Sequence, residues 1–282
     1  MTLCRKGIAL NHRLGLSGST ILSDPDQLSF LFERGLDHVE IGEFPDEASY
    51  RTFRQMTNDH HLESFGIHSP LIRGRSKYDL IEHVAMDPEQ AREAFEQEVA
   101  RLAEQGAAYV LVHFPYFSGT STNPSQRIEE GLKFLHRLKE TYALPIVCEP
   151  KLGRNRSDKG VEYLRQFPVE LWKRYGLDIC VDLGDYRMAA GEKWRAYVEP
   201  LLPFASVVHL HNVCYIEDKY FWIPLHPDKG KWNGAYDMEP MLQMLGEGRG
   251  KYFIFEHTPH VNPTPEEVDE GIRWVKDVLG GV

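Results

Sequence analysis

The chain has 282 residues, 42% hydrophobic and 26% charged, with a formal net charge of -10. That length fits one large domain or two small ones, and the excess of acid, with Lys and Arg scattered, disfavours a broad sequence-independent contact with nucleic-acid phosphates, though not a local basic cleft. No run of about 18 apolar residues is present, and the opening "MTLCRKGIALNHRLG" has too short an apolar stretch for a signal peptide, so no membrane partner and a cytoplasmic location are expected.

Short β-branched runs alternate with longer amphipathic stretches along the whole chain. In order, "GIALNHRL" (7–14) reads as a strand before a helical "PDQLSFLFERG" (25–35), and "DHVEIGEF" (37–44) before "DEASYRTFRQMTNDH" (46–60). "LESFGIHSP" (62–70) is followed by a long loop, "RGRSKYDLIEHVAMD" (73–87), expected to shape a pocket, and then by "DPEQAREAFEQEVARLAEQG" (87–106). "AYVLVHFPY" (108–116) leads into "PSQRIEEGLKFLHRLKETY" (124–142), and "PIVCEPK" (145–151) into "VEYLRQFPVELWKRYG" (161–176). "DICVDLGDY" (178–186) precedes "EKWRAYVEPLLPF" (192–204). "SVVHLHNV" (206–213) precedes a long loop and "DMEPMLQMLGEG" (237–248), and "KYFIFEHT" (251–258) precedes "TPEEVDEGIRWVKDVLGG" (264–281). Asp24-Pro25 and Asp87-Pro88 supply caps before first-turn prolines, and Gly35, Gly106 and Gly176 close helices. Eight consecutive β-α units predict a single-domain α/β fold, a (β/α)8 TIM barrel spanning residues 1–282. An open doubly wound sheet is the alternative, disfavoured by the poor glycine turn in "NHRLGLSGS" (11–19).

In such a barrel the active site lies at the C-terminal ends of the strands. Those ends read Asn11 with His12, Glu40 or Glu43, His68, His113, Glu149, Asp182 with Asp185, His209 with His211, and Glu256 with His257. A lone residue of this kind is usually a cap or a satisfied hydrogen-bond partner, and His12, Glu40 and His257 are assigned that role. The convergence of the others on one axis would bury unpaired charge at high cost, which a cation relieves. Nitrogen and oxygen donors without thiolate suit zinc, manganese, iron or magnesium. In "VVHLHNV" (207–213), His209 and His211 share one face because strand side chains two apart point the same way. His211, nearer the strand end, reads as the ligand, and His209 as a support or substrate contact one layer deeper.

The loop "HPDKGKWNGAYD" (226–237) offers His226 and Asp228 as groups that reach over the site, with Gly230 and Gly234 allowing a turn. Arg13, Arg73, Arg75, Arg154, Arg156 and Arg187 follow strand ends and suit a substrate phosphate or carboxylate. Substrate contacts are thus expected from His209, His226, Asp185, Asn11 and Arg187. Cys4, Cys148, Cys180 and Cys214 lack metal-type spacing and read as reduced thiols.

The segments "VCEP", "VDLGD", "VHLHN" and "FEH" resemble those of the xylose isomerase-like TIM-barrel superfamily, also called the AP endonuclease family 2 barrel. The resemblance covers the whole chain and implies that Glu149, Asp182, His211 and Glu256 are metal ligands, with Glu149 and Glu256 also catalytic. Endonuclease IV-like members carry further zinc on the third and fourth strands, positions that His68 in "GIHSPL" and His113 in "LVHFPY" resemble; Asp185 replaces a histidine of that pattern. Epimerase-like members show Asp-x-x-His after the sixth strand and an arginine after the seventh, whereas here Asp185 stands in the first and "NVCYIEDKY" has no arginine. The expected function is hydrolysis of a small phosphodiester or phosphoester, nucleotide- or cobamide-type, by one or two divalent ions, zinc or manganese. The alternative is a sugar isomerase or epimerase acting on a ketose or related hydroxy-carbonyl compound. The expected partner is a small molecule, and homo-oligomerisation is left open.

Overall fold

Eight parallel strands pair in a ring. In the computed structural model, which describes residues 12–117, 124–152 and 169–280, the ring consists of β1 (Arg13–Ser17), β2 (His38–Ile41), β3 (Ser64–His68), β4 (Tyr109–His113), β5 (Ile146–Glu149), β6 (Asp178–Asp182), β7 (Ala205–Leu210) and β10 (Tyr252–Phe255). Its order is β1-β10-β7-β6-β5-β4-β3-β2. Because β10 pairs in parallel with β1, setting Leu16 opposite Phe255, the sheet has no free edge and the open alternative is excluded.

The outer layer includes α1 (Glu47–Asp59), α2 (Pro88–Glu104), α3 (Pro124–Tyr142), α4 (Val169–Tyr175), α5 (Leu183–Ala190), α6 (Trp194–Val198), α7 (Glu239–Leu245) and α8 (Pro265–Val278). The Asp-Pro starts act as the sequence suggests: Asp24 accepts from the Asp26 amide and Asp87 from the Glu89 amide. Gly35, Gly106 and Gly176 adopt the left-handed conformation after their helices.

Four local expectations are corrected. The first strand lies at 13–17 rather than 7–14, so His12 and Arg13 sit at its entry, on the far side from the site. "PDQLSFLFERG" forms a 3-10 segment, Pro25–Leu31, in place of an α-helix. α5 starts directly after β6, with Asp182 capping it. The long connection after β7 contains an antiparallel hairpin, β8 (Asn212–Ile216) and β9 (Lys219–Ile223). Residues 1–11, 118–123, 153–168 and 281–282 lie outside the described residues, and with them Cys4, Asn11, Arg154, Arg156 and the first half of the helix expected at 161–176.

Strand alternation divides the interior into two environments. Outward residues such as Val39, Ile67 and Val110 pack under the helices, while Tyr109, Leu111, Val147, Cys180, Val207 and Ile254 form a separate cluster inside the ring. Gly66 makes room for the large member of that cluster, since a Cβ there would lie 2.4 Å from the Tyr109 ring. Below the site the interior is polar. Arg13 donates to Ser64 Oγ (3.1 Å), which meets His38 Nδ1 (2.7 Å), and His38 Nε2 meets the Tyr109 hydroxyl (3.1 Å). Burial lowers the His38 pKa to about 3, against the nearby Glu40 charge that favours protonation.

A histidine neutral in the fold and protonated when unfolded binds its proton only on unfolding. His38 therefore contributes full stability above pH 6.5 and loses it as pH falls toward 3. Urea titrations across this window are expected to show a shallower acid dependence for His38→Gln, by at most about 1.4 kcal/mol per pH unit. An unchanged slope contradicts the neutral assignment.

Candidate metal centre

The C-terminal strand ends deliver their side chains to one buried cluster. Glu149 ends β5, Asp182 ends β6, His209 lies in β7 with His211 just beyond it, and Glu256 follows β10. Glu149, Asp182, His209 and His211 are wholly shielded from solvent, and Glu256 is nearly so. His209 Nδ1 lies 2.7 Å from Glu256 Oε2 and 3.4 Å from Glu149 Oε1, while His211 Nε2 lies 2.8 Å from Asp182 Oδ1. Donor atoms of Glu149, Asp182, His209 and Glu256 all fall within 4.8 Å of one another, and a second group joins Asp182, Asp185 and His211.

His68 and His113 form a third group with Glu149. His113 Nε2 is 3.2 Å from His68 Nε2 and 3.1 Å from Glu149 Oε2, and the His68–Glu149 contact is 3.4 Å. Ligands about 2.1 Å from a zinc ion stand roughly 3.0 to 3.4 Å apart, so this triangle matches one face of a coordination polyhedron. Cys180 adds a thiol near Glu149 and His209, but burial raises its pKa and keeps it protonated.

A divalent cation fits these residues. Glu149 Oε2, Asp182 Oδ2, His209 Nδ1, His211 Nε2 and Glu256 Oε2 are buried and make no directed hydrogen bond. Polar atoms packed this closely out of solvent suit a shared positive centre. The outer contacts hold the ligands in place: His209 Nε2 donates to Glu40 Oε1 (2.9 Å), and the Tyr109 hydroxyl donates to Glu40 Oε2 (2.8 Å). That bond fixes the His209 tautomer and turns Nδ1 toward the carboxylates.

His211 depends on a glycine. A Cβ on Gly184 would lie 2.1 Å from His211 Cε1, so the α5 backbone closes against the imidazole, whose other face stacks on Trp222 at 4.6 Å. Asp182 Oδ1 accepts from the Asp185 amide (2.8 Å) and thereby caps α5.

Lys151 is the group that sequence reasoning missed. Its Nζ lies 2.8 Å from Asp185 Oδ2, 3.0 Å from Glu149 Oε1 and 3.6 Å from Asp182 Oδ2. The available signal was its place two residues after Glu149, on the same strand face. Burial opposes its charge, yet Asp185, Glu149 and Asp182 raise its pKa well above the usual lysine value. Burial likewise works against a charged Asp182, but His211 and Lys151 hold it down at about 2, while burial and the Asp182 charge push Asp185 up to about 6. Surrounding acidic groups raise His209 and His211 despite their burial.

Above the cluster lies a cavity of about 470 Å³, a size suited to a small molecule. Ser17, His68, His113, Lys151, Asp185 and Glu256 line it from different strand ends and the segments that follow them, and Trp222 of the hairpin joins them. The 73–87 loop forms one wall: Arg73, Lys77 and Tyr78 face the cavity, and Tyr78 stacks on His113 at 5.0 Å. Asp79 pins the loop by accepting from the amides of Val84, Ala85 and Met86.

Other expected contacts lie elsewhere. His226 pairs with Glu270 of α8 (3.0 Å), because its loop is packed on that helix, and does not line the cavity. Asp228 turns its own loop by accepting from the Gly230 amide. Arg187 is buried against Tyr236 and paired with Glu192 (2.8 Å), also off the cavity. Arg13 pairs with Glu63 at the opposite end of the barrel, and Arg75 is absent from the cavity lining.

A model of the xylose isomerase-like TIM barrel family matches residues 28–278. The chain belongs to that family. Among solved structures, Escherichia coli 3-keto-D-glucoside 4-epimerase YcjR is similar at 11% identity and TM-score 0.65, over 95% of this chain and 100% of its own. D-psicose 3-epimerase, solved in the presence of D-fructose, is similar at 14% identity and TM-score 0.65, over 95% and 100%. The IolI protein with a bound zinc atom is similar at 13% identity and TM-score 0.64, over 95% and 98%. No curated protein sequence matches this chain. Within this family barrel, buried His, Glu and Asp groups suited to a divalent ion lie beneath a small-molecule cavity.

Gly184→Ala tests the packing of His211. The added methyl is expected to push the imidazole off its seat against Trp222 and to lower the thermal midpoint by several degrees, roughly 2–4 °C per kcal/mol lost, followed by circular dichroism. An unchanged midpoint would contradict this close packing.

Proposed function

We propose that this chain is a divalent metal-dependent isomerase or epimerase acting on a sugar-type hydroxy-carbonyl compound. The observation that carries the reading is Glu256: a carboxylate that reaches the buried donor group on one side and lines the cavity on the other. The named sugar epimerases among similar folds support the same class of chemistry.

Glu149, Asp182 and Glu256 would hold the ion together with a histidine from β7 or its end, where His209 groups with all three and His211 reaches Asp182. When bound, a divalent ion polarises a carbonyl and makes the neighbouring C–H more acidic. Glu256 would remove the proton on the carbon beside the carbonyl. In isomerisation it returns that proton to the adjacent carbon from the same face while the hydroxyl proton passes to the former carbonyl oxygen, and in epimerisation a second donor on the opposite cavity wall protonates the other face. Glu149, sealed from solvent, holds its position through Lys151 and His113, and its own part in proton transfer is secondary. His68, His113 and Lys151 offer donors to substrate hydroxyls from the cavity wall.

One observation favours a second reading, hydrolysis of a small phosphoester. The His68–His113–Glu149 triangle is a suitable seat for another ion, as multi-metal ester cleavage requires. The two readings separate in deuterated water with ketoses as substrates and manganese or zinc supplied. Isomerase or epimerase chemistry is expected to place deuterium on the carbon beside the carbonyl, to stop on chelation, and to fall by about 10²- to 10⁴-fold in Glu256→Gln. Absence of carbon exchange across the ketose panel, with phosphate released from phosphoesters, would establish hydrolysis.

A further inference from the structure

We infer that Lys151 is a resident cation that takes the place of a metal ion at the Asp182–Asp185–His211 donor group. The inference rests on the metal-centre reading above and adds a limit to it. A cluster of this kind has two ways to neutralise its carboxylates, a bound ion or a built-in ammonium. Lys151 supplies the second on one side only. Its Nζ contacts Asp185 Oδ2 at 2.8 Å and Asp182 Oδ2 at 3.6 Å, the outer oxygens that would coordinate an ion beside His211. The same ammonium holds Glu149 Oε1 at 3.0 Å.

The oxygens facing away from Lys151 remain open to a true ion. Glu149 Oε2 is turned toward His68 and His113, and Glu256 Oε2 toward His209. Lys151 is largely buried and lies beside the Trp222 ring, 5.3 Å from its centroid, and as a charge tethered to the chain it does not exchange with cations from solution. One part of the donor cluster is thereby dedicated to a lysine, and another is left for a metal. The lysine also borders the cavity, where its fixed charge faces a substrate oxygen and cannot be removed by chelation.

The test is zinc stoichiometry and affinity of the full chain, stripped of metal and reloaded, for wild type, Lys151→Met and Lys151→Arg. Lys151→Met is expected to bind one more zinc per chain than wild type, or to bind its zinc at least about tenfold more tightly, and Lys151→Arg to match wild type. The extra zinc should disappear when His211→Gln is added. Unchanged stoichiometry and affinity in folded Lys151→Met overturns the inference and leaves the metal reading standing. No zinc in either protein overturns both. Zinc bound only by Lys151→Met upholds the resident lysine and overturns the metal dependence of the native chain. Should Lys151→Met fail to fold, anomalous scattering from zinc-soaked wild-type crystals decides: an ion between Asp182, Asp185 and His211 refutes the inference, and density for the Lys151 ammonium there supports it.

Discussion

Charge balance in a sealed space is the constraint on which the upper barrel depends. Glu40, Glu149 and Asp182 have no solvent contact, and each isolated buried carboxylate would cost several kcal/mol or shift to its neutral form. Neighbours offset that cost individually. Glu40 is held between His209 and Tyr109, Glu149 between Lys151 and His113, and Asp182 between His211 and the Asp185 amide of α5. Removing any one partner leaves a charge with nothing to replace it, so these residues act as a network and not as separable pairs. The acidic neighbours favour the protonated forms of His209 and His211, so an ion held by either would compete with a proton.

The barrel interior separates this charged layer from the solvent beneath it. The lower ring is closed by the Ser64–His38–Tyr109 hydrogen bonds, in which His38 stays neutral. Bulk and absence of bulk alternate there: Tyr109 fills the space that Gly66 leaves, and Gly15 brings β1 against the His38 carbonyl, where a Cβ would lie 2.7 Å away. Tyr109 links the layers, stacking on His38 below and donating to Glu40 above. Packing at the base therefore sets the orientation of His209 at the site, through two hydrogen bonds and no change of charge.

Much of this was legible in the chain. Hydrophobic period and proline and glycine punctuation identified the barrel, because each β-α unit satisfies its own backbone and needs only its neighbours to close the ring. The strand-end residues of the centre were legible for the same reason, since period-two alternation turns Glu149, Asp182 and His209 inward. What escaped depends on contacts distant in sequence. Glu40 is a satisfied carboxylate, as expected, but the identity of its partners, Tyr109 and His209, was not legible because they are brought to it across the ring. Lys151, at the end of "PIVCEPK", carried no signal of its own; the closure of β5 against β6 is what places Asp185 beside it. His226 misled because its loop is drawn to α8 by Glu270, a partner more than forty residues later. The 7–14 segment misled through its apolar composition, whereas the strand that pairs is the glycine-containing "RLGLS".

The distribution of positive charge also bears on which chemistry the centre suits. Ester cleavage by several ions needs carboxylates with both oxygens free to bridge them. Glu149, the residue common to three of the four donor groups, has one oxygen engaged by Lys151 and one facing the two histidines. That division is poor for bridging and good for holding one ion while a fixed ammonium stands beside the substrate. Moving a proton on carbon makes the opposite demand: a carboxylate open to the substrate and positive charge close to the developing oxyanion. Glu256 and Lys151 both border the cavity, and the hairpin's Trp222 covers the same space. On the reading proposed above, the asymmetry between the sealed Glu149 and the cavity-facing Glu256 gives one carboxylate the framework and the other the reaction, and proton transfer on a hydroxy-carbonyl compound uses that asymmetry.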